Sequence, residues 1–287
     1  MDVSIVLVSY NTKDLTRNCL KSLYEKTSGV NYNVWVIDNA SHDGSAQMIK
    51  EEFPQVNLIE SSDNIGFGRA NNVVINKVQS KYVFLLNTDT ILLNNAVKIL
   101  YDLMELPENV NVGACGGQLH NRDMTLQGSV GEFDTLDKLC RKTLGIKIKN
   151  ELSYSVHGEP DYIIGADLML RKSALANCGG FDERFFMYGE EAELCLRLRK
   201  NGYGLRFTPE SKILHYGGAS SYSENTQIQV EKMLLSNTLL FFEIAYGKKC
   251  ANKARLLYII YYLKYLPLRF FSIKAFQRLK MALEVCV

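Results

Sequence analysis

Val3-Ser4-Ile5-Val6-Leu7-Val8 is an almost unbroken apolar, β-branched run, and it stops at Ser9-Tyr10-Asn11-Thr12. A strand without polar alternation is buried on both faces, as in a parallel sheet covered by helices. The residues that follow fit this reading. Leu15, Cys19, Leu20 and Leu23 recur at helical spacing, and Val34-Trp35-Val36-Ile37 is a second buried run that ends at the polar stretch Asp38–Ser45. A helix carrying Ala46, Ile49 and Phe53, a strand Val56–Ile59, a loop Asp63–Gly68, a helix Arg69–Val78 and a strand Tyr82–Leu86 continue the alternation. This β-α-β-α order predicts an α/β fold with a doubly wound, mainly parallel sheet and right-handed crossovers. Ligands of such sheets bind at the carboxyl ends of the strands, where the polar clusters Ser9–Thr12, Asp38–Ser45 and Asn87–Thr90 fall.

Past Asp102 the alternation fades, and Gly113–Gly117 and Tyr162–Leu170 predict an antiparallel extension, with a polar loop over Leu126–Thr135. From Ile228 the pattern is helical, so the expected division is an α/β domain over residues 1–225 and a helical C-terminal region over 226–287. The net charge of +2 argues against a nucleic-acid partner. Seven scattered cysteines without a Cys-x-x-Cys pair read as reduced thiols, and Met1–Val8 lacks signal-peptide character, which together indicate a cytoplasmic protein. The tail Ala254–Leu279 mixes apolar and aromatic residues with Arg255, Lys264, Arg269, Lys274 and Arg278, and Lys253 and Lys280 flank it. Its longest apolar part, Leu256–Leu263, is too short to span a bilayer, which needs about 20 apolar residues. Two expectations stand for this tail: a surface lying on a membrane, or a helix packed on its own domain or on a second subunit.

Chemistry concentrates in three places. Glu190-Glu191-Ala192-Glu193 opens an amphipathic helix that carries Leu194 and Leu198, behind the aromatic loop Phe185-Phe186-Met187-Tyr188. Crowded carboxylates raise the proton affinity of at least one of them, and water excluded by Phe185, Phe186 and Tyr188 adds to this, which suits a general base. The same residues also read as an acidic turn that stabilises its helix. Asp89, after the strand Tyr82–Leu86, has the short oxygen-bearing neighbours Asn87 and Thr88 expected around Mg²⁺ or Mn²⁺. His215, which ends the apolar run Ile213-Leu214, is the candidate to complete that shell. His42, His120 and His157 read as surface loop residues. Asp38 could receive a base N–H or a ribose hydroxyl, and Arg69 could approach a base or phosphate. The loop Gly66-Phe67-Gly68 lacks the third glycine of a dinucleotide fingerprint and follows the third strand, not the first.

Val3–Thr12, Ile37–Ser45, Asn64–Asn72, Leu85–Thr90, Gly165–Arg171, Gly179–Arg199 and His215–Ser220 together resemble the family 2 inverting glycosyltransferases with the GT-A fold, and most of all their rhamnosyltransferase-like branch. The resemblance covers roughly residues 3–245. It implies a nucleotide-binding half over about 1–100 and an acceptor and catalytic half over about 101–225. It also implies that Ser9, Tyr10, Asp38, Asn39, Asp43, Asn64, Arg69, Asn71, Asn87 and Thr88 surround a dTDP- or UDP-linked sugar donor. Asp89 would be the last acid of an Asp-x-Asp metal motif whose first acid is replaced by Asn87, and His215 the distant ligand of the same Mg²⁺ or Mn²⁺. The family's acidic pair reads here as Glu190-Glu191, with Glu191 the favoured base. Gly165, Asp167 and Tyr188 are expected on the acceptor side, where Asp167 would meet sugar hydroxyls. The implied activity is transfer of rhamnose to a glycan or lipid-linked glycan acceptor; the tail lies outside the resemblance, and its own residues carry the expectation that it meets the inner face of the plasma membrane or a second copy. The competing expectations are a non-catalytic nucleotide-sugar-binding module that docks a glycan-synthesis complex and, less well supported, a nicotinamide dehydrogenase.

Overall fold

The computed structural model describes residues 1–146, 159–217, 224–264 and 273–286, without the side chains of 224–226 and 273–275. The turn expected at Gly218–Ser220, His157, Pro267 and Arg269 lie outside the described residues, as does the side chain of Lys274. The chain divides into two compact units. One comprises Met1–Glu132, Glu151–Phe186 and Glu190–Ala219, and the other Phe133–Asn150, Met187–Gly189 and Ser220–Val287. The helical unit therefore takes in two segments upstream of the boundary expected at residue 225.

The first unit begins with β1 (Val3–Ser9), α1 (Lys13–Lys26), β2 (Tyr32–Asp38), α2 (Ser45–Glu52), β3 (Asn57–Glu60), α3 (Phe67–Ile75) and β4 (Tyr82–Leu86). β5 (Thr90–Leu92), α4 (Ala96–Glu105), β6 (Val112–His120) and β7 (Val130–Gly131) follow. α5 (Leu136–Leu144) belongs to the second unit, and the first resumes with β8 (Tyr162–Ile163), β9 (Asp167–Arg171), α6 (Lys172–Cys178), α7 (Glu190–Lys200) and β10 (Gly204–His215). Eight strands form one sheet in the order β3-β2-β1-β4-β9-β6-β10-β5, and β7 pairs with β8 apart from it. β1 is parallel to β2 and β4, and β2 to β3, so the winding reverses between β1 and β4. β9 runs antiparallel to β4 and β6, as the fading alternation predicts. β10, however, lies parallel to β6 and antiparallel to β5, so the extension is mixed.

Successive side chains of a strand point to opposite faces, and the core splits accordingly. Val3, Ile5 and Leu7 pack with Cys19, Leu20 and Leu23 of α1, Met48 and Ile49 of α2, and Val97 and Leu100 of α4. Val6 on the other face packs with Ala70 and Val74 of α3, Leu175 of α6, and Leu194 and Leu198 of α7. β1 therefore needs apolar residues on both sides, which is why its sequence shows no alternation.

The second unit consists of α5, α8 (Glu224–Tyr246), α9 (Lys248–Lys264) and α10 (Ile273–Cys286). Its own core is built from Leu139, Leu235, Leu239, Phe242, Ala251, Ala254, Met281 and Ala282. No helix of the described residues is long and apolar enough to cross a membrane.

Candidate active site

The reversal between β1 and β4 leaves their carboxyl ends adjacent, and hydroxyls cluster there. Ser9, fully buried, lies 3.2 Å from Thr16 Oγ1, and Thr12 Oγ1 lies 3.2 Å from Thr88 Oγ1 across the gap. Beside them Asp38 Oδ2 accepts from the Ser41 N–H at 2.9 Å, while Asp38 Oδ1 is buried with no hydrogen-bond partner. Asn71 Oδ1 on α3 is buried in the same state. Tyr10 is 45% exposed at the rim.

Other residues of the expected donor set are occupied by the fold. Asp43 Oδ2 accepts from the first helical N–H of α1, that of Lys13, and Oδ1 from the Ser45 N–H and hydroxyl at the start of α2. Burial raises the pKa of its carboxyl, but the hydrogen bonds from Ser45 and Lys13 outweigh this, so the net effect is a lowering. Asn39 donates to Asn64 Oδ1 and accepts from the Ile65 N–H, and Asn64 accepts from the Gly66 N–H, so the pair shapes the loop before α3. Arg69 donates to the Glu183 carbonyl at 3.0 Å.

That contact is one of several that hold the acidic segment against α3. Asn72 pinches the Phe181 backbone, donating to its carbonyl at 2.9 Å and accepting from its N–H at 2.8 Å. The Phe67 N–H donates to the Phe186 carbonyl, and a Cβ on Gly66, which has φ +86°, would come within 2.4 Å of that oxygen. Only glycine fits there. Glu193 is buried and paired with Arg197 at 2.6 Å, and Arg197 also donates to the carbonyls of Cys178, Gly179 and Gly180. Glu193 is thus a structural anchor and takes no part in the expected crowding. Asn72 and Arg197 carry this clamp, and the sequence showed them only as members of longer motifs.

Glu190 and Glu191 separate by environment. Glu190 is 4% exposed and its Oε2 has no hydrogen-bond partner, whereas Glu191 is half-buried. Burial first, and the neighbouring Glu191 charge second, push the Glu190 carboxyl up to about 8. The Glu191 Cβ lies 3.7 Å from the position a Cβ on Gly165 would take. The next residue, Ala166, accepts from the Asn87 N–H at 3.0 Å. A two-residue bridge, Gly165-Ala166, therefore joins the acidic turn to the loop that carries Asp89. Phe185 is buried and Phe186 is 44% exposed. Tyr188 falls in the second unit, where Asn237 Nδ2 donates to its carbonyl at 2.9 Å.

Asp89 and His215 come together because β5 pairs with the end of β10, aligning Thr90 with His215. Asp89 Oδ1 and His215 Nε2 are 3.3 Å apart, and the Tyr216 N–H donates to the Asp89 carbonyl. Adjacent ligands of an octahedral ion at about 2.1 Å lie about 3 Å apart, so the pair has the spacing of two neighbouring vertices. Among the described residues no third His, Cys, Asp or Glu joins them. A carboxylate and an imidazole thus fit a hard divalent ion that draws its remaining ligands from water and phosphate.

Two expectations are corrected. Asp167, expected to meet sugar hydroxyls, is instead the first residue of β9, fully buried, with Oδ2 accepting from the Gly117 N–H at 2.7 Å and Oδ1 unpartnered. Burial raises its carboxyl well above the usual carboxylate range, and the Gly117 N–H offsets part of this. His120 is not a surface loop residue: it ends β6, is 8% exposed, and pairs with Leu126. Gln127, within the expected polar loop, lies 2.7 Å from His215 Nδ1 and was not anticipated.

The chain is 28% identical over 230 residues to rhamnosyltransferase WbbL of Escherichia coli, covering 75% of this chain and 83% of that protein. It is 25% identical over 238 residues to an N-acetylglucosaminyl-diphospho-decaprenol L-rhamnosyltransferase of Mycobacterium tuberculosis, covering 76% of each. The mannosyltransferase PcManGT from Pyrobaculum calidifontis, solved with GDP-Man and Mn²⁺, superposes with a TM-score of 0.59 over 99% of this chain and 85% of that one at 14% identity. TarS 1–349 of S. aureus gives 0.57 over 99% and 90% at 13% identity. These two share the fold, which is of the GT-A type. Residues 4–172, more than half of the chain, match the family model for glycosyl transferase family 2, and the chain belongs to that family as a rhamnosyltransferase-like glycosyltransferase.

Proposed function

We propose that the enzyme transfers rhamnose, with inversion, from dTDP-rhamnose to a hydroxyl of a lipid-linked or polysaccharide acceptor in cell-surface glycan synthesis. The observation that carries this reading is the bridge Gly165-Ala166, which has Glu191 against one residue and the N–H of Asn87, two residues before the Asp89 of the Asp89–His215 pair, bonded to the other. Inversion needs a base on one side of the sugar and charge neutralisation on the other. The two rhamnosyltransferase relatives support the choice of sugar, and the M. tuberculosis relative's name supports an acceptor built on a polyprenyl diphosphate.

In this mechanism the buried orphan oxygens Asp38 Oδ1 and Asn71 Oδ1 accept hydrogen bonds from the nucleoside, and the Ser9, Thr12 and Thr88 hydroxyls border its diphosphate. Asp89 and His215 would hold Mg²⁺ or Mn²⁺, which neutralises charge on the leaving diphosphate. The acceptor oxygen forms its bond to the anomeric carbon as the bond to the diphosphate breaks, and Glu191 takes the hydroxyl proton. Glu190, buried with its carboxyl pushed up to about 8, is read as the neighbour that flanks this base. Gly165, next to Glu191, is assigned to the acceptor side in this reading.

The acceptor reading places the enzyme against a membrane. Leu256, Ile260 and Leu263 share one face of α9, at 59%, 44% and 45% exposure, with Lys249 and Lys253 exposed beside them. Of the basic residues expected on that surface, Lys264 donates to the Thr143 carbonyl, Arg255 to Asn252, and Arg278 pairs with Glu231. The apolar stripe and the exposed Lys253 and Lys280 are what this surface offers among the described residues.

Purified enzyme given dTDP-rhamnose, Mn²⁺ and a diphosphate-linked glycan acceptor should release dTDP and a rhamnosylated product. Turnover with other nucleotide sugars but not with dTDP-rhamnose would refute the sugar assignment, and full activity in excess EDTA the metal.

A further inference from the structure

We infer that Gln127 is a positioning residue that holds the neutral His215 ring in the tautomer protonated at Nδ1, so that the Nε2 lone pair faces Asp89. The inference rests on the reading of Asp89 and His215 as metal ligands. It is carried by a chain of hydrogen bonds whose direction is set at one end. A carboxylate only accepts, so Asp123 Oδ1 takes the proton of the Thr125 hydroxyl at 2.6 Å. The Thr125 oxygen in turn accepts from Asn121 Nδ2 at 3.0 Å, and the same amide nitrogen donates to the Leu126 carbonyl at 3.3 Å. Asn121 therefore presents its Oδ1, which accepts from Gln127 Nε2 at 3.0 Å. That nitrogen also donates to the His215 carbonyl at 3.4 Å.

With its nitrogen committed to two carbonyl oxygens, Gln127 turns Oε1 toward His215 Nδ1, 2.7 Å away. An amide oxygen carries no proton, so the ring nitrogen must supply it. In the neutral ring Nε2 is then bare, 3.3 Å from Asp89 Oδ1. Two lone-pair-bearing atoms at that distance repel, and a shared cation turns the repulsion into attraction. The scaffold of this chain is a tight hairpin, in which Asn121 N–H bonds Thr125 O, Met124 N–H bonds Asn121 O and Gln127 N–H bonds Leu119 O. Gly217 leaves room for the amide, since a Cβ there would stand 3.2 Å from Gln127 Nε2. Outer groups of this kind orient a metal-binding imidazole, and their loss typically costs 10- to 100-fold in metal affinity.

The test combines the ¹⁵N ring shifts of His215 in metal-free protein at pH 8 with the dissociation constant for Mn²⁺ in the presence of dTDP. Wild type should show protonated Nδ1 and unprotonated Nε2. Gln127→Met, similar in volume but without the acceptor, should shift the proton toward Nε2 and weaken Mn²⁺ binding roughly 10- to 100-fold. Gln127→Glu, which retains an acceptor, should keep the tautomer and bind Mn²⁺ within a few-fold of wild type. Should Gln127→Met not fold, Asn121→Leu on the half-exposed hairpin frees the amide to flip and should give mixed ring shifts. A wild-type ring protonated at Nε2, a Gln127→Met variant indistinguishable from wild type, or a Gln127→Glu variant as impaired as Gln127→Met would each overturn the inference. Equal Mn²⁺ affinity of wild type and Asp89→Ala, with the assigned tautomer intact, would overturn the metal reading and leave the tautomer standing.

Discussion

Glu190→Gln should make the protein more stable than wild type in mildly alkaline solution. The Glu190 carboxyl, 4% exposed and beside Glu191, rises from an ordinary 4.5 to about 8 in the folded protein. A carboxyl whose folded pKa is raised contributes stability that is fully present below its unfolded pKa and is lost as pH climbs through the folded one. Between roughly pH 5 and 8 the wild type should therefore lose on the order of 1.4 kcal/mol per pH unit from this group, and about 3–5 kcal/mol in all. Glutamine fills nearly the same volume and does not titrate. Denaturant unfolding at pH 5, 6.5, 8 and 9 should show the variant close to wild type at the acid end and more stable at the alkaline end. Glu191→Gln removes the second cause of the shift, so it should narrow the pH window of this loss without closing it. In turnover the order reverses: Glu191→Gln should lose roughly 10²-fold or more with donor affinity within a few-fold, and Glu190→Gln should stay within a few-fold of wild type. Identical pH dependence of wild type and Glu190→Gln would refute the buried, protonated Glu190, and an inactive Glu190→Gln beside an active Glu191→Gln would reverse the assignment of the base.

Asp89→Ala should abolish Mn²⁺-dependent binding of dTDP with the unfolding midpoint near wild type, and His215→Ala should weaken it less because water can replace an imidazole; calorimetry with and without Mn²⁺ reads both. Arg197→Met strands the buried Glu193 charge and should cost roughly 3–5 kcal/mol in denaturant unfolding, most of it recovered by also replacing Glu193 with Met. Vesicles containing anionic lipid should float the full chain at low salt, and Leu256→Ser with Ile260→Ser and Leu263→Ser should leave it in the soluble fraction with donor binding unchanged; flotation of the triple variant would exclude the α9 stripe as the contact.

How much of this was legible before folding depended on whether the signal was local. β1, β2 and β4 announced themselves because a strand buried on both faces must be apolar throughout, and Val3–Val8 is nearly so. Asp89 and His215 were recognisable as polar residues that follow apolar runs, Tyr82–Leu86 and Ile213-Leu214. That they meet at 3.3 Å was decided by the antiparallel pairing of β5 with β10, which joins segments more than 100 residues apart. Position in a polar cluster could not separate Asp43, which caps two helices, from Asp38, which keeps a bare buried oxygen. Nor could it place Asp167 inside the sheet or His120 at the end of β6, because burial belongs to the neighbours that arrive from elsewhere in the chain. Glu190 and Glu191 are the same residue type side by side, and sequence alone cannot rank their proton affinities. A helix turns about 100° per residue, so packing against α3 buries the first and leaves the second half-exposed beside Gly165. The amino-acid pattern determined which strands form and which polar residues their ends display; tertiary packing decided which of those residues remain free for chemistry, since desolvation and hydrogen-bond partners exist only once the chain has closed on itself.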